Sequence, residues 1–170
     1  MNQSKTLQKL VSLLGDSEND PKLQALFIEL GEKFPLRRPR KGDTGYLLEK
    51  ENRSYQLAMK YADAIPLLKE DKKFKEGELV FYSLQNIYYN SDYDDVVFPF
   101  NITWDLNTKK AIELLGEDYF KYDNSENVFL WRKENIIIIL EFDDEDYLIE
   151  ISYRLLIDYD LEIFNKHGKK

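Results

Sequence analysis

Hydrophobic residues recur at helical spacing in two runs before Gly31. The first run covers residues 5–14 and the second covers residues 21–30, and apolar positions three and four apart form one face of a helix. Asp20 stands where an N-cap is expected, and Gly31 stands where a short helix ends. The pattern therefore predicts two short amphipathic helices.

A period of two replaces the helical spacing from Tyr46 onward. Residues 55–61 alternate between apolar and polar side chains, and residues 79–89 form a longer apolar and aromatic run. Alternation of this kind is typical of half-buried strands. Between these runs, the charged residues 64–77 predict a loop or a short helix. The first half is therefore expected to be helix followed by antiparallel strands.

The second half of the chain repeats this order. A helix is expected from Asn107 or Thr108 to Gly116, with an inward face formed by Ala111, Ile112, Leu114 and Leu115. Three strands are then expected, at about 128–133, 135–142 and 147–156. The acidic string at 143–146 is expected to be a hairpin loop.

The tripeptide Lys-Glu-Asn occurs twice, each time after a helix-like segment that ends in Leu-Gly-Glu. Gly31 precedes Lys50 by 19 residues, and Gly116 precedes Lys133 by 17. A repeat at nearly constant spacing indicates one supersecondary unit that is used twice.

Together these patterns predict an α+β fold in a single domain, residues 1–170. A first helix at 5–14 is followed by pseudo-repeats at about 20–90 and 100–156. Each pseudo-repeat is expected to be a helix followed by an antiparallel β-meander, with the helix packed on the sheet.

The chain lacks the residue patterns of the common catalytic and cofactor sites. It has no cysteine and one histidine, His167, and its seven glycines form neither nucleotide-binding fingerprint. We therefore expect no cofactor, no metal and no catalytic residues. With 32 Asp and Glu, an unrecognised pair of acid/base carboxylates, as in a hydrolase, remains an open alternative.

Negative charge is concentrated in the second half. Residues 1–90 carry 15 Lys and Arg against 13 Asp and Glu, whereas residues 91–170 carry 9 against 19. Such a surface repels nucleic acid and anionic membranes and attracts basic proteins. The N-terminal sequence has no pattern typical of a signal peptide, so a cytoplasmic protein is expected, as a monomer or a weak homodimer.

Tyrosine and acidic residues interleave in three clusters of the second half. Tyrosines supply contact area at protein interfaces, and carboxylates pair with Lys and Arg of a partner. Tyrosines packed at sheet edges, with acids in turns, are an equally simple interpretation. The candidate partner-binding residues are Asp92, Tyr93, Asp94, Asp95, Asp143, Asp144, Glu145, Asp146, Tyr147, Asp158, Tyr159 and Asp160.

Two segments resemble a large family of small bacterial proteins. They are DPKLQALFIELGEKFPLRRPRKGDTGYLLEKENRSYQL, at 20–57, and FPFNITWDLNTKKAIELLGEDYF, at 98–120. Members of that family often accompany secreted toxins and are suspected immunity proteins. The tandem helix-plus-sheet plan is also similar to β-lactamase inhibitory protein and to the small lipoprotein of the outer-membrane barrel assembly machine. This chain has no cysteine, so the disulfides of the former and the lipid anchor of the latter do not transfer.

The resemblance implies an immunity protein that blocks the active site of a cognate secreted toxin, with a basic, nuclease-like toxin domain as partner. An adaptor or assembly module with an endogenous protein partner is the alternative within the same binding class. The carboxylate-dependent hydrolase is the alternative from a different class.

Overall fold

The computed structural model describes residues 2–51, 53–122 and 125–167. In these ranges there are four α-helices: α1 Gln3–Ser12, α2 Pro21–Glu29, α3 Thr108–Leu115 and α4 Asp158–His167. The strands are β1 Gly45–Leu48, β2 Gln56–Tyr61, β3 Leu79–Tyr88, β4 Tyr119–Lys121, β5 Val128–Lys133, β6 Ile136–Phe142 and β7 Leu148–Leu155. The expectation of a mixed α+β fold is confirmed.

All of these strands form one antiparallel sheet with the order β1-β2-β3-β7-β6-β5-β4. Strands of the first half occupy one side, and strands of the second half occupy the other. The two halves meet where β3 pairs with β7, with Ser83 opposite Arg154. Because the sheet crosses this junction without a break, the end of β3 is brought next to the β6–β7 hairpin.

Helix α2 begins and ends where the sequence predicts. The Asp20 carboxylate accepts hydrogen bonds from the backbone N–H groups of Lys22 and Leu23, at 2.8 and 3.1 Å. Gly31 follows the helix with a φ of +90°, a conformation that costs a residue with a Cβ more than it costs glycine. Phe27 is fully buried, and its ring meets that of Phe81 in β3 edge-on, with 5.2 Å between centroids.

Helix α3 also has its predicted limits, but one of its predicted inward side chains is exposed. Asn107 is the N-cap and accepts from the backbone N–H of Lys110 at 2.9 Å. Ala111 and Leu115 are buried, whereas Leu114 is 40% exposed. The prediction for Leu114 was wrong because the buried stripe is narrow, with Ala111 and Leu115 four residues apart on one face.

The main core combines side chains of three helices and of both halves of the sheet. Its buried members include Leu7, Leu10, Leu23, Phe27, Ala111, Leu115, Leu57, Met59, Phe81, Leu84, Trp131, Ile138, Leu140 and Tyr153. A smaller cluster contains Leu130, Ile137 and Leu156, with Phe164 of α4 packed against it. Ile137 of β6 belongs to the smaller cluster, whereas its neighbour Ile138 belongs to the main core. Both faces of β6 are therefore buried, which explains why its sequence is continuously apolar.

Two elements were missed by the sequence analysis. Strand β4 is three residues long and pairs only with β5, too short for its alternation to stand out. Helix α4 begins at Asp158, within a segment that was interpreted as an acidic contact cluster, and it continues to His167. Among the described residues, no helix is both long and apolar enough to cross a membrane.

Candidate functional site

The first predicted cluster, residues 92–95, begins within a short 3-10 turn, Ser91–Tyr93, that follows β3. Asp92, Asp94 and Asp95 are exposed. Tyr93 is only 7% exposed and belongs to the main core. The turn directs the Tyr93 ring inward while the acids remain in solvent, so burial does not favour a partner contact through Tyr93, which stays a prediction.

The cluster at 158–160 is divided between surface and interior. Asp158 is exposed, and Tyr159 is partly buried with its ring 5.8 Å from that of Tyr122. Asp160 is fully buried, where its carboxylate accepts hydrogen bonds from both terminal nitrogens of Arg154. Asp160 is thus a buried counter-ion to Arg154, and its position does not favour the predicted partner contact, which stays a prediction.

The third cluster forms the hairpin between β6 and β7, as predicted. Asp143 Oδ1 accepts from the backbone N–H groups of Glu145 and Tyr147, at 3.0 and 2.9 Å. Asp146 Oδ1 accepts from the backbone N–H of Thr108 at 3.0 Å and from its hydroxyl group, which joins the hairpin to the start of α3. Tyr147 projects from this loop and is 62% exposed.

Members of two clusters meet in one concave surface, which we call the acidic aromatic groove. After β3, the backbone N–H of Tyr89 donates to the carbonyl of Ile149 at 2.9 Å, so the chain stays beside β7 and the hairpin that precedes it. The groove has a volume of about 520 Å³. It is lined by Tyr89, Asp94, Trp104, Asp105, Asp143, Tyr147, Leu148 and Ile149.

Aromatic rings form much of this surface. Tyr89, which is 53% exposed, meets Trp104 edge-on with 5.5 Å between ring centroids, and Phe98 meets the same indole at 5.1 Å. Trp104 is 8% exposed, and its Nε1–H is buried without a hydrogen-bond partner among the described residues. A buried donor without an acceptor is costly, so the unpaired indole N–H is a destabilising feature of the core.

The charge of the groove is negative. Its carboxylates belong to Asp94, Asp105 and Asp143, and no Lys or Arg stands among the described residues that line it. A side-chain hydrogen bond with Asp94, together with the negative charge of that carboxylate, raises the pKa of Tyr89. The Thr103 hydroxyl donates to Asp105 and lowers the pKa of that carboxyl. At neutral pH the Asp105 carboxyl is therefore ionised and the Tyr89 phenol is neutral.

Sequence reasoning placed Asp94, Asp143 and Tyr147 among the candidates but omitted Tyr89, Trp104 and Asp105. Trp104 is buried and belongs to the main core. Its position beside Tyr89 depends on the pairing of β3 with β7. No local pattern in the sequence reveals that pairing.

A second acidic feature lies across strands β6 and β7. Glu141 and Glu150 stand directly opposite each other in the ladder. Burial, followed by the charge of Glu141 and a hydrogen bond with it, raises the pKa of Glu150. Neither residue lines the acidic aromatic groove. Within the described ranges, no group of three or more His, Asp or Glu residues is arranged to hold a metal ion.

Comparison with known proteins adds no further assignment: no protein-family model, no curated protein and no solved structure matches the chain significantly. Function must therefore be inferred from the groove and the charge of the chain.

Proposed function

We propose that this protein is an immunity protein, which binds a cognate secreted bacterial toxin in the cytoplasm and blocks its active site. The acidic aromatic groove carries the proposal. Exposed Tyr89 and Tyr147 offer large contact area beside three carboxylates, and this combination suits a basic protein surface. The partner is a basic toxin domain of the nuclease type, whose substrate phosphates the carboxylates replace.

The distribution of charge supports a protein partner over nucleic acid or a membrane. Residues 91–170 carry 19 acidic residues against 9 basic ones, and they supply all but Tyr89 of the groove lining. A phosphate backbone requires clustered Lys and Arg. Acidic residues around the groove instead accelerate association with a basic protein and make that association sensitive to salt.

The proposed architecture is a pair of pseudo-repeats, each with a helix packed on its meander. Two similar contacts support it: Lys50 Nζ donates to the carbonyl of Gly31, two residues after the end of α2, at 2.8 Å, and Lys133 Nζ donates to that of Leu115, the last residue of α3, at 2.6 Å. In each case the Lys-Glu-Asn lysine caps the end of the preceding helix. In this scheme β1, β2 and β3 correspond to β5, β6 and β7, and β4 is an addition.

No catalytic role enters the proposal, and we expect a monomer or a weak homodimer. The outermost strands, β1 and β4, have four and three residues, and short edge strands limit edge-to-edge pairing. The opposed carboxyls of Glu141 and Glu150 are the feature that favours the hydrolase alternative. A hydrolase would lose activity when Glu150→Gln removes one of them, whereas toxin binding through the groove would not change.

The test is capture of the partner from the native bacterium by the tagged full-length protein, followed by mass spectrometry. We expect recovery of the C-terminal domain of a secreted toxin, with association that slows as salt is raised. The double variant Asp94→Asn, Tyr147→Ala should lose this partner. Tyr88→Ala changes an exposed residue outside the groove lining and should retain it.

Two results would contradict the proposal. Recovery of a housekeeping assembly in place of a toxin would make the protein an adaptor. Equal toxin capture by the groove variant and the wild type would place the contact surface elsewhere.

A further inference from the structure

Resting on the protein-binding function proposed above, we infer that the acidic aromatic groove receives one arginine side chain of the partner. The groove presents aromatic faces, an apolar wall and carboxylates. An arginine-bearing peptide complements all three features.

The aromatic residues select a planar cation. Tyr89 and Tyr147 are each more than half exposed, and a guanidinium group stacks on such rings with both cation–π and dispersion attraction. Leu148 and Ile149 add an apolar wall, against which the methylene stem of a long basic side chain can pack.

The carboxylates have unused hydrogen-bonding capacity. Asp143 Oδ1 already accepts two backbone N–H groups, which holds the carboxylate in place, while no described residue donates to its Oδ2. A guanidinium presents five N–H donors in a fixed fork that matches carboxylate geometry, whereas an ammonium is a point charge. The groove should therefore prefer arginine over lysine.

Trp104 makes occupation of the groove observable. It lines the groove, and its ring lies edge-on to that of Tyr89 with 5.5 Å between centroids. Its indole resonance should therefore respond when a ligand binds there.

Indole N–H resonances of the full-length protein test the inference directly, because the chain contains two tryptophans. The Trp131 indole already donates to the carbonyl of Gly116 at 2.9 Å and is buried, so it serves as an internal control. The probe is the blocked tripeptide Gly-Arg-Gly, and matched peptides carry citrulline or lysine in place of arginine.

We expect the Trp104 indole resonance to shift saturably with the arginine peptide while that of Trp131 stays fixed. The citrulline peptide, which keeps the shape and loses the charge, should bind at least about tenfold more weakly, and the lysine peptide should fall between them. Asp94→Asn and Tyr147→Ala should each weaken binding, with Tyr88→Ala as the control. An unshifted Trp104 resonance, or equal affinity for arginine and citrulline, would overturn the inference.

Peptide binding and toxin capture test the arginine inference and the proposed function independently. If the arginine peptide binds but no toxin is captured, the groove is an arginine site in a protein of another function. If a toxin is captured through the groove but the peptide does not bind, the immunity function stands and the arginine inference falls.

Discussion

Arg154 holds Asp160 in a two-pronged ion pair that joins the last strand to the last helix. Nη2 of Arg154 lies 2.8 Å from Oδ1 of Asp160, and Nη1 contacts Oδ2. The same Oδ2 accepts from the backbone N–H of Ile157 at 2.8 Å. Since the Asp160 carboxylate is fully buried, this pair positions the first turn of α4 against the sheet.

Replacing Asp160 by Asn should destabilise the protein strongly. The guanidinium of Arg154, whose side chain is 10% exposed, would then be left with no charged partner. Breaking a buried ion pair from one side costs about 3–5 kcal/mol of unfolding free energy. Urea unfolding measures the loss. Asp158→Asn, an exposed acid in the same turn, should change stability by less than about 0.5 kcal/mol, and an equal effect of the two substitutions would contradict the structural role of Asp160.

The two capping lysines should contribute similar stability to their respective halves. Lys50→Met and Lys133→Met each remove a hydrogen bond to a carbonyl at or just after the end of a helix, and also a cation at the negative end of the helix dipole. Each should lower the unfolding free energy by about 1 kcal/mol. Chemical denaturation checks both variants, with Lys41→Met in an exposed loop as the control. A loss in only one half would argue against equivalent pseudo-repeats.

Glu150 should make stability fall as the pH rises. Its pKa in the folded protein is raised above the ordinary value of 4.5, chiefly by burial and then by Glu141. The folded state therefore holds this proton more tightly than the unfolded chain. Ionisation on going from below pH 4.5 to neutral pH then destabilises the fold.

Glu150→Gln should consequently be more stable than the wild type at pH 7, by about 0.2–1 kcal/mol for relief of a like-charge pair across two strands. The gain should shrink at pH 4, where the wild-type carboxyl is largely protonated in the folded state. Denaturation at both pH values measures the difference. Glu145→Gln, at an exposed hairpin position, should show no such pH-dependent gain, and a gain from Glu150→Gln that is constant with pH would disprove the coupling.

Phe27 should be a principal contact between α2 and the sheet. Phe27→Ala removes a fully buried ring that packs on Phe81, and such a truncation costs about 3–5 kcal/mol. Ile28→Ala, one residue further along the same helix, removes a side chain that is 56% exposed and should cost less than about 1 kcal/mol. Calorimetric unfolding compares the two variants; similar losses would mean that α2 does not pack on the sheet through Phe27.

Local features explain why much of the fold could be predicted. The Asp20 carboxylate caps its helix by accepting from backbone N–H groups that are only two and three residues further along the chain. The hairpin at 143–146 likewise connects two strands that are adjacent in the sequence. Each of these interactions joins residues that are close in the sequence. Composition and spacing are therefore sufficient to reveal them.

Which individual acidic and aromatic residues are buried could not be predicted from the local sequence. Asp160 and Asp158 stand in the same acidic string, yet one is buried against Arg154 and the other is exposed. Tyr93 and Tyr147 both adjoin acids, yet only Tyr147 reaches solvent. Burial of such residues depends on which element packs over them, and α4 itself was missed.

The sequence by itself determined the α+β class, the three longer strands of the second half (β5, β6 and β7) and the negative charge of that half, because periodicity, capping and composition act over a few residues. Only the tertiary structure decided that Tyr89 and Trp104 lie beside Asp143 and Tyr147. That arrangement depends on the pairing of β3 with β7, which joins residues more than 60 positions apart. Hydrogen bonds between strands are alike for every sequence, so the partner of β3 is selected by the packing of the whole core.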